Sequence, residues 1–414
     1  MKRLAFPFLL ISLVSGQWNY SGSFQPITMH RTSDLSNISL PFRIAELEVG
    51  FSKGDFDFIT SSVVEYRWTG GNAEFDLREA YLIWYPSWGE VKLGKQIHAW
   101  GAVDGNNPTD NLNPYDYYYM FLAGADRKIG TFSTSVKYYW NDWQFEAVVI
   151  SEHEPNRYPF GEDDFPIAMD DPADMLIAAK KGNEFGVRLQ TIIGNSDISL
   201  SYFSGRDRGF TLVGYNWATP VLTYRKTDVI GIDIVTFFGD LTGRTEVSYY
   251  NTNNDQTTDI ETFNDAAYVQ FASQLEYTTA NDITLMIQLI GNDVLEANGL
   301  TYSYDENGNP TTELAAMNED ELQQGMGTPF AMFTDLGMFL SATGNYLDNA
   351  LEIRINTFLD LEDSQKMLGG GLTYSPVENW KIDCSISKFL GKEGTHFKDM
   401  EDFSHIQIGL KYSF

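Results

Sequence analysis

Short stretches in which apolar and polar side chains alternate recur along nearly the whole chain, and this constrains the fold more than any other feature. In FDFITSSVVEYRW (56–68), Phe56, Phe58, Val64, Tyr66 and Trp68 share one parity, and Asp57, Ser61, Glu65 and Arg67 the other. LEIRIN (351–356) sets Leu351, Ile353 and Ile355 against Glu352, Arg354 and Asn356. NEFGVRLQT (183–191), LTGRTEVSYY (241–250) and DITLMIQLI (282–290) repeat the pattern. A period of two belongs to β-strands, whose successive side chains point to opposite faces. No stretch carries a convincing helical period, and no linker divides the chain.

The connections alternate too. Short turns such as SKGD (52–55), PSWG (86–89), GNSD (194–197) and TAND (279–282) are interleaved with long segments, among them 99–129, 153–181, 207–226 and 292–328. Strands of this kind, joined by short turns at one end and long loops at the other, define a transmembrane barrel. Lipid tolerates no open sheet edge, so such strands close into a ring. The expected fold class is therefore all-β, a transmembrane antiparallel up-and-down barrel of about eighteen strands, with sixteen as the alternative. Expected strands include 18–31, 329–343 and 347–358, and 209–226 is read as a hairpin within a loop.

Composition agrees. The chain holds 28 Phe, 23 Tyr, 9 Trp and 35 Gly, a mixture suited to tight turns and to aromatic girdles at membrane interfaces. MKRLAFPFLLISLVSGQ reads as a signal peptide over 1–16, with Lys2 and Arg3 ahead of an apolar core and a small-residue cleavage site. The remainder, 17–414, is expected to be a single barrel. The net charge is −29, and loss of Lys2 and Arg3 makes it −31, which argues against a nucleic-acid partner. The single cysteine, Cys384, allows no internal disulfide. Five scattered histidines (His30, His98, His153, His396, His405) match no metal-ligand spacing, and neither GxSxG nor GxxxxGK[ST] occurs. The expectation is a protein that is not an enzyme and has no catalytic residues, metal or cofactor. GEDDFPIAMDDPAD (161–174) is the only stretch that suggests Ca²⁺, and it lacks the spacing and turn glycine of a calcium loop.

The final strand, HIQIGLKYSF, places Ile406, Ile408, Leu410, Tyr412 and Phe414 on one face. Its terminal aromatic resembles the carboxy-terminal signal of outer-membrane barrels, with Tyr412 and Phe414 as the signal residues. That resemblance covers the mature chain and implies several partners: outer-membrane lipid, lipopolysaccharide and the barrel-assembly machinery of a Gram-negative bacterium. Residues 78–116 also resemble a family of bacterial outer-membrane barrels of unassigned function. The shared pattern runs Arg78-Glu79-Ala80-Tyr81, Leu93-Gly94-Lys95-Gln96, Trp100-Gly101, Asp104-Gly105 and Asn113-Pro114-Tyr115-Asp116.

In a barrel of this size the polar parity lines a lumen wide enough for water. The expected lumen side chains include Glu65, Arg67, Arg78, Lys137, Arg188, Arg244, Glu246, Glu352, Arg354 and Lys411. The connection 99–129 is the third on the long side, and its rings cannot all stand in water. It resembles the inward third loop of general porins, with Trp100, Asp104, Asp110, Asn113, Asp116 and Tyr117 as constriction residues. Asp104, Asp110 and Asp116 are expected to oppose Arg67, Arg78 and Arg188, and a bulge near Gly94 to return Lys95 to the water side. The function these features imply is a porin-like channel passing small polar solutes by diffusion, with a homotrimer among its assemblies. The alternatives are a narrow channel for apolar or aromatic solutes and a plugged barrel that binds a partner at the surface.

Overall fold

The computed structural model describes residues 16–414 apart from 123, 168, 173–174, 177–181, 257, 263–264, 305–306, 308–309 and 320–321. The leader expected over 1–16 thus lies outside the described residues except for Gly16. The described chain forms a closed ring of eighteen antiparallel strands. The first half contains β1 (Gln17–Phe24, resuming as Ile27–Arg31), β2 (Phe42–Lys53), β3 (Phe56–Tyr66), β4 (Ala73–Trp84), β5 (Gly89–Gln96), β6 (Thr131–Trp140), β7 (Trp143–Ile150), β8 (Glu184–Ile193) and β9 (Ser196–Arg206). The second half contains β10 (Lys226–Phe238), β11 (Leu241–Asn253), β12 (Asp265–Thr278), β13 (Ile283–Tyr304), β14 (Leu336–Tyr346), β15 (Leu351–Asp360), β16 (Lys366–Val377), β17 (Trp380–Leu390) and β18 (His405–Ser413). β1 breaks at Gln25-Pro26, where proline has no N–H to give to the ladder. Both of its halves still pair with β18, Ser23 opposite Ser413 and Ile27 opposite Gly409. Phe414 and Gly22 exchange backbone hydrogen bonds of 3.0 and 3.1 Å, and the ring has no free edge.

Every connection on the side of the termini is short. In the two-residue turns after β2, β8 and β10, Gly54, Gly194 and Gly239 adopt φ of 60–64°, a left-handed conformation that suits glycine and the twist of a hairpin. The outer face carries exposed apolar side chains, with Trp18, Trp84, Trp140, Trp380 and Tyr412 gathered near the short-turn end. A girdle of this kind belongs at the headgroup level of a bilayer.

Three expectations needed correction. β14 and β15 begin several residues later than the sequence pattern suggests. Pro329–Met332 is a 3-10 turn in which Phe330 is buried, because Pro329 cannot donate to a ladder and the segment before β14 folds inward. β13 runs past the ring to Tyr304 and pairs with a strand over Pro310–Ala316, inside the segment 292–328 that the sequence pattern gives only as a long connection. The third correction concerns β4, where the register slips between Ser61 and Ser62 of its partner β3. The bulge therefore lies at Arg78 and not near Gly94, where the ladder is continuous. It turns both Arg78 and Glu79 inward, which explains why Glu79 breaks the alternation. Lys95 ends half-buried, 3.8 Å from Asp76. The segment 209–226 does form a hairpin outside the ring, Thr211–Asn216 with Thr219–Thr223.

Candidate functional site

Along the lumen wall of β5 to β8 the charges alternate in sign. Glu90 lies opposite Lys137, Lys137 opposite Glu146, and Glu146 opposite Arg188. Opposite charges facing one another across a ladder stabilise it. The distances are loose between Lys137 and Glu146 (3.9 Å) and tight between Arg188 and Asp233 of β10 (2.9 Å).

The connection after β5 enters the barrel. At its base, Asn113 accepts from the His98 N–H (2.6 Å) and donates to the carbonyls of Gln96 (3.1 Å) and Ile129 (2.8 Å). A single amide thus staples the loop's two ends together. Trp100 is buried over Gly186, where a Cβ would come within 2.7 Å of its ring, and its indole N–H donates to Glu146 (3.1 Å). The tip then crosses to the wall of β11 to β13. There the Glu246 carboxylate accepts from the backbone N–H groups of Ala102 (2.5 Å), Val103 (2.7 Å) and Thr109 (3.2 Å), from the Thr109 hydroxyl (2.7 Å) and from the Asn107 amide (3.0 Å). Gln274 and Gln288 bracket Asp104: Gln274 accepts from its N–H (3.0 Å), and Gln288 donates to its carbonyl (2.7 Å).

A second inward segment follows β7. Arg157 makes a two-pronged contact with Glu65 (2.9 and 3.1 Å) and reaches Asp116 (3.0 Å). Glu162 receives both prongs of Arg67 (2.6 and 2.9 Å), and Asp164 receives Arg31 (2.6 Å). Two acids of the stretch 161–174, Glu162 and Asp164, are therefore engaged by arginines. No cluster of three or more His, Cys, Asp or Glu side chains placed to hold a metal occurs among the described residues. Burial lifts the Asp116 carboxyl above its ordinary range, against the pull of Arg157. Towards the long-loop end, an apolar cluster joins Tyr115, Tyr117 and Phe165 of these two segments to Phe330, Phe397 and Phe403 of later loops.

The expected opposition of Asp104, Asp110 and Asp116 to Arg67, Arg78 and Arg188 does not occur. Asp104 meets Arg244 (3.0 Å), which also contacts Glu276 (3.3 Å). Asp110 is buried against Lys128 of its own loop (2.5 Å), and Asp116 faces Arg157 and Arg43. Arg67, Arg78 and Arg188 each have a nearer acid in Glu162, Asp126 (3.3 Å) and Asp233. The Tyr117 and Tyr158 rings pack 4.6 Å apart, tilted by 32°. Glu352 and Arg354 pair at 3.2 Å on an exposed stretch of wall, and Lys411 also faces the lumen. Tyr412 packs on Trp380 outside the barrel, with rings 4.9 Å apart, and Phe414 is exposed there.

Sequence reasoning missed Gln274 and Gln288, and also the partner Arg157. The glutamines do lie on the polar parity of β12 and β13, and that parity was their one available signal.

Fold, girdle and lumen together define an outer-membrane β-barrel. The chain belongs to the DUF1302 family, described as a protein of unknown function, which matches residues 69–414. Among solved structures, OccK2 (OpdF) of Pseudomonas aeruginosa in complex with glucuronate superposes with a TM-score of 0.54 at 10% identity, covering 96% of this chain and 97% of that one. OccAB4 of Acinetobacter baumannii superposes with a TM-score of 0.54 at 11% identity, covering 96% and 97%. At such identities the likeness concerns the fold. No curated protein matches the chain.

Proposed function

We propose that the protein is an outer-membrane channel passing small hydrophilic solutes by passive diffusion. The observation that carries this reading is the asymmetry of the lumen. The inward loop is tied to β7, β8 and β11 to β13, whereas the wall of β15, β17 and β2 keeps charged side chains in water. Glu46, Glu48, Arg354 and Lys381 point inward yet remain exposed. Inward charges exposed to water indicate a hydrated lumen rather than a packed plug. Gly369 and Gly371 of β16 add no bulk to that wall. The solute path then runs off-centre, between the loop tip at Asp104 and the β15–β17 wall.

The aromatic cluster at the long-loop end favours a second reading, in which the barrel is closed there and its loops bind a partner. Recording from the purified protein in a planar bilayer separates the two. Stepwise ohmic conductance in KCl is expected of the channel, and a silent bilayer containing correctly folded protein would overturn it.

A further inference from the structure

In a chain with 57 acidic and 28 basic side chains, a base that faces the lumen is expected to sit beside an acid. The lumen bases of the other strands follow that rule: Lys92 has Glu90 at 3.2 Å, Arg188 has Asp233, Arg244 has Asp104 and Arg354 has Glu352. Lys381 of β17 and Lys411 of β18 do not. They stand directly opposite one another across the ladder, both on the lumen parity, and among the described residues neither forms an ion pair or hydrogen bond. Two like charges in that position destabilise a sheet.

Asp383, two positions along β17 on the same face, pairs with neither lysine and accepts from the Thr373 hydroxyl of β16 at 2.7 Å. Glu46 and Glu48 lie beyond β1, whose Ser21 and Ser23 pair with them. Next to Lys411 on its own strand the lumen position is Gly409. A Cβ there would meet nothing nearer than Ile27 at 3.4 Å, with the Gln25 amide nitrogen at 3.5 Å. Lys381, Lys411 and the Gln25 amide thus share the lumen face at its short-turn mouth with one acid, Asp383, whose Cβ would lie 3.9 Å from a Cβ at Gly409.

We propose that Lys381 and Lys411 form a docking site for an oxyanion, a carboxylate or phosphate group carried by a small solute. Two ammoniums side by side offer separate donors to the two or three oxygens of such a group. The bound anion relieves the repulsion that the sheet otherwise bears. The inference deepens the channel reading and rests on solutes reaching this mouth, by naming the class that would be held there.

The test is calorimetric titration of the folded protein in detergent with inorganic phosphate and, separately, with acetate. Saturable binding of at least one is expected, and which one binds identifies the group. Binding should weaken at least tenfold in the double variant Lys381→Gln/Lys411→Gln and persist in Lys381→Arg/Lys411→Arg. It should be unchanged in Lys366→Gln/Lys388→Gln, which alters two exposed lysines on the outward parity of β16 and β17. Heat-modifiable migration on gels checks that each variant folds. Absent binding in the natural protein, or equal binding in the double glutamine variant, would overturn the proposal. Intact binding in a protein that never conducts would instead refute the channel and leave the site standing.

Discussion

The carboxylate of Glu246 on β11 takes both the backbone N–H and the hydroxyl of Thr109, at 3.2 and 2.7 Å, on a loop that springs from β5. One side chain thus anchors the loop to a wall remote from its origin. Glu246→Ala leaves the N–H groups of Ala102, Val103 and Thr109 without their acceptor. A buried donor left without a partner costs about 1–3 kcal/mol, so the loop tip should detach while the ring persists. Faster hydrogen exchange over 100–109 and a larger single-channel conductance are the expected outcomes, and unchanged exchange would exclude the latch.

His98, at the root of the same loop, is buried with its ring 2.9 Å from the Ser133 hydroxyl. Burial, aided by Lys92, Lys128 and Lys137, pushes its pKa down to about 3. The folded protein therefore holds it neutral, while an unfolded chain protonates it near 6.5. Its contribution is fully present above pH 6.5 and is lost as the pH falls towards 3, at up to about 1.4 kcal/mol per pH unit. Urea midpoints measured from pH 7 to pH 4 should fall in the natural protein and fall less in His98→Asn.

The two faces of β15 should answer differently to one substitution. Ile355 is exposed on the outward face and Asn356 lies inward against Gly369. An arginine on the lipid face costs about 2–4 kcal/mol near the bilayer midplane, whereas one in a hydrated lumen does not. Ile355→Arg should lower the urea midpoint in liposomes well below that of Asn356→Arg, and equal midpoints would contradict the assignment of faces.

Closure of the ring rests on Gly22 and Phe414. A Cβ at Gly22 would lie 2.6 Å from the Phe414 ring, so Gly22→Val and deletion of Phe414 should both hinder the seam. Both variants are expected to reach the outer membrane at reduced yield, with the remainder degraded in the periplasm. Normal yield of the Phe414 deletion would remove the terminal ring from the assembly signal.

The sequence alone determined the ring, because a period of two along a strand is local and survives any neighbour. It placed Leu351, Ile353 and Ile355 on one face and Glu352 and Arg354 on the other, and it assigned Glu246 and Lys411 to the lumen. Only the tertiary structure decided who meets whom inside. Asp104 faces Arg244, and Arg67 faces Glu162, because loops from distant parts of the chain descend into a shared space, and ion pairing depends on distance rather than sequence order. The bulge at Arg78 was equally hidden, since an extra residue in one strand is defined only by the register of its partner. Likewise, parity made Lys381 and Lys411 lumen residues, but only the ladder between β17 and β18 set them side by side.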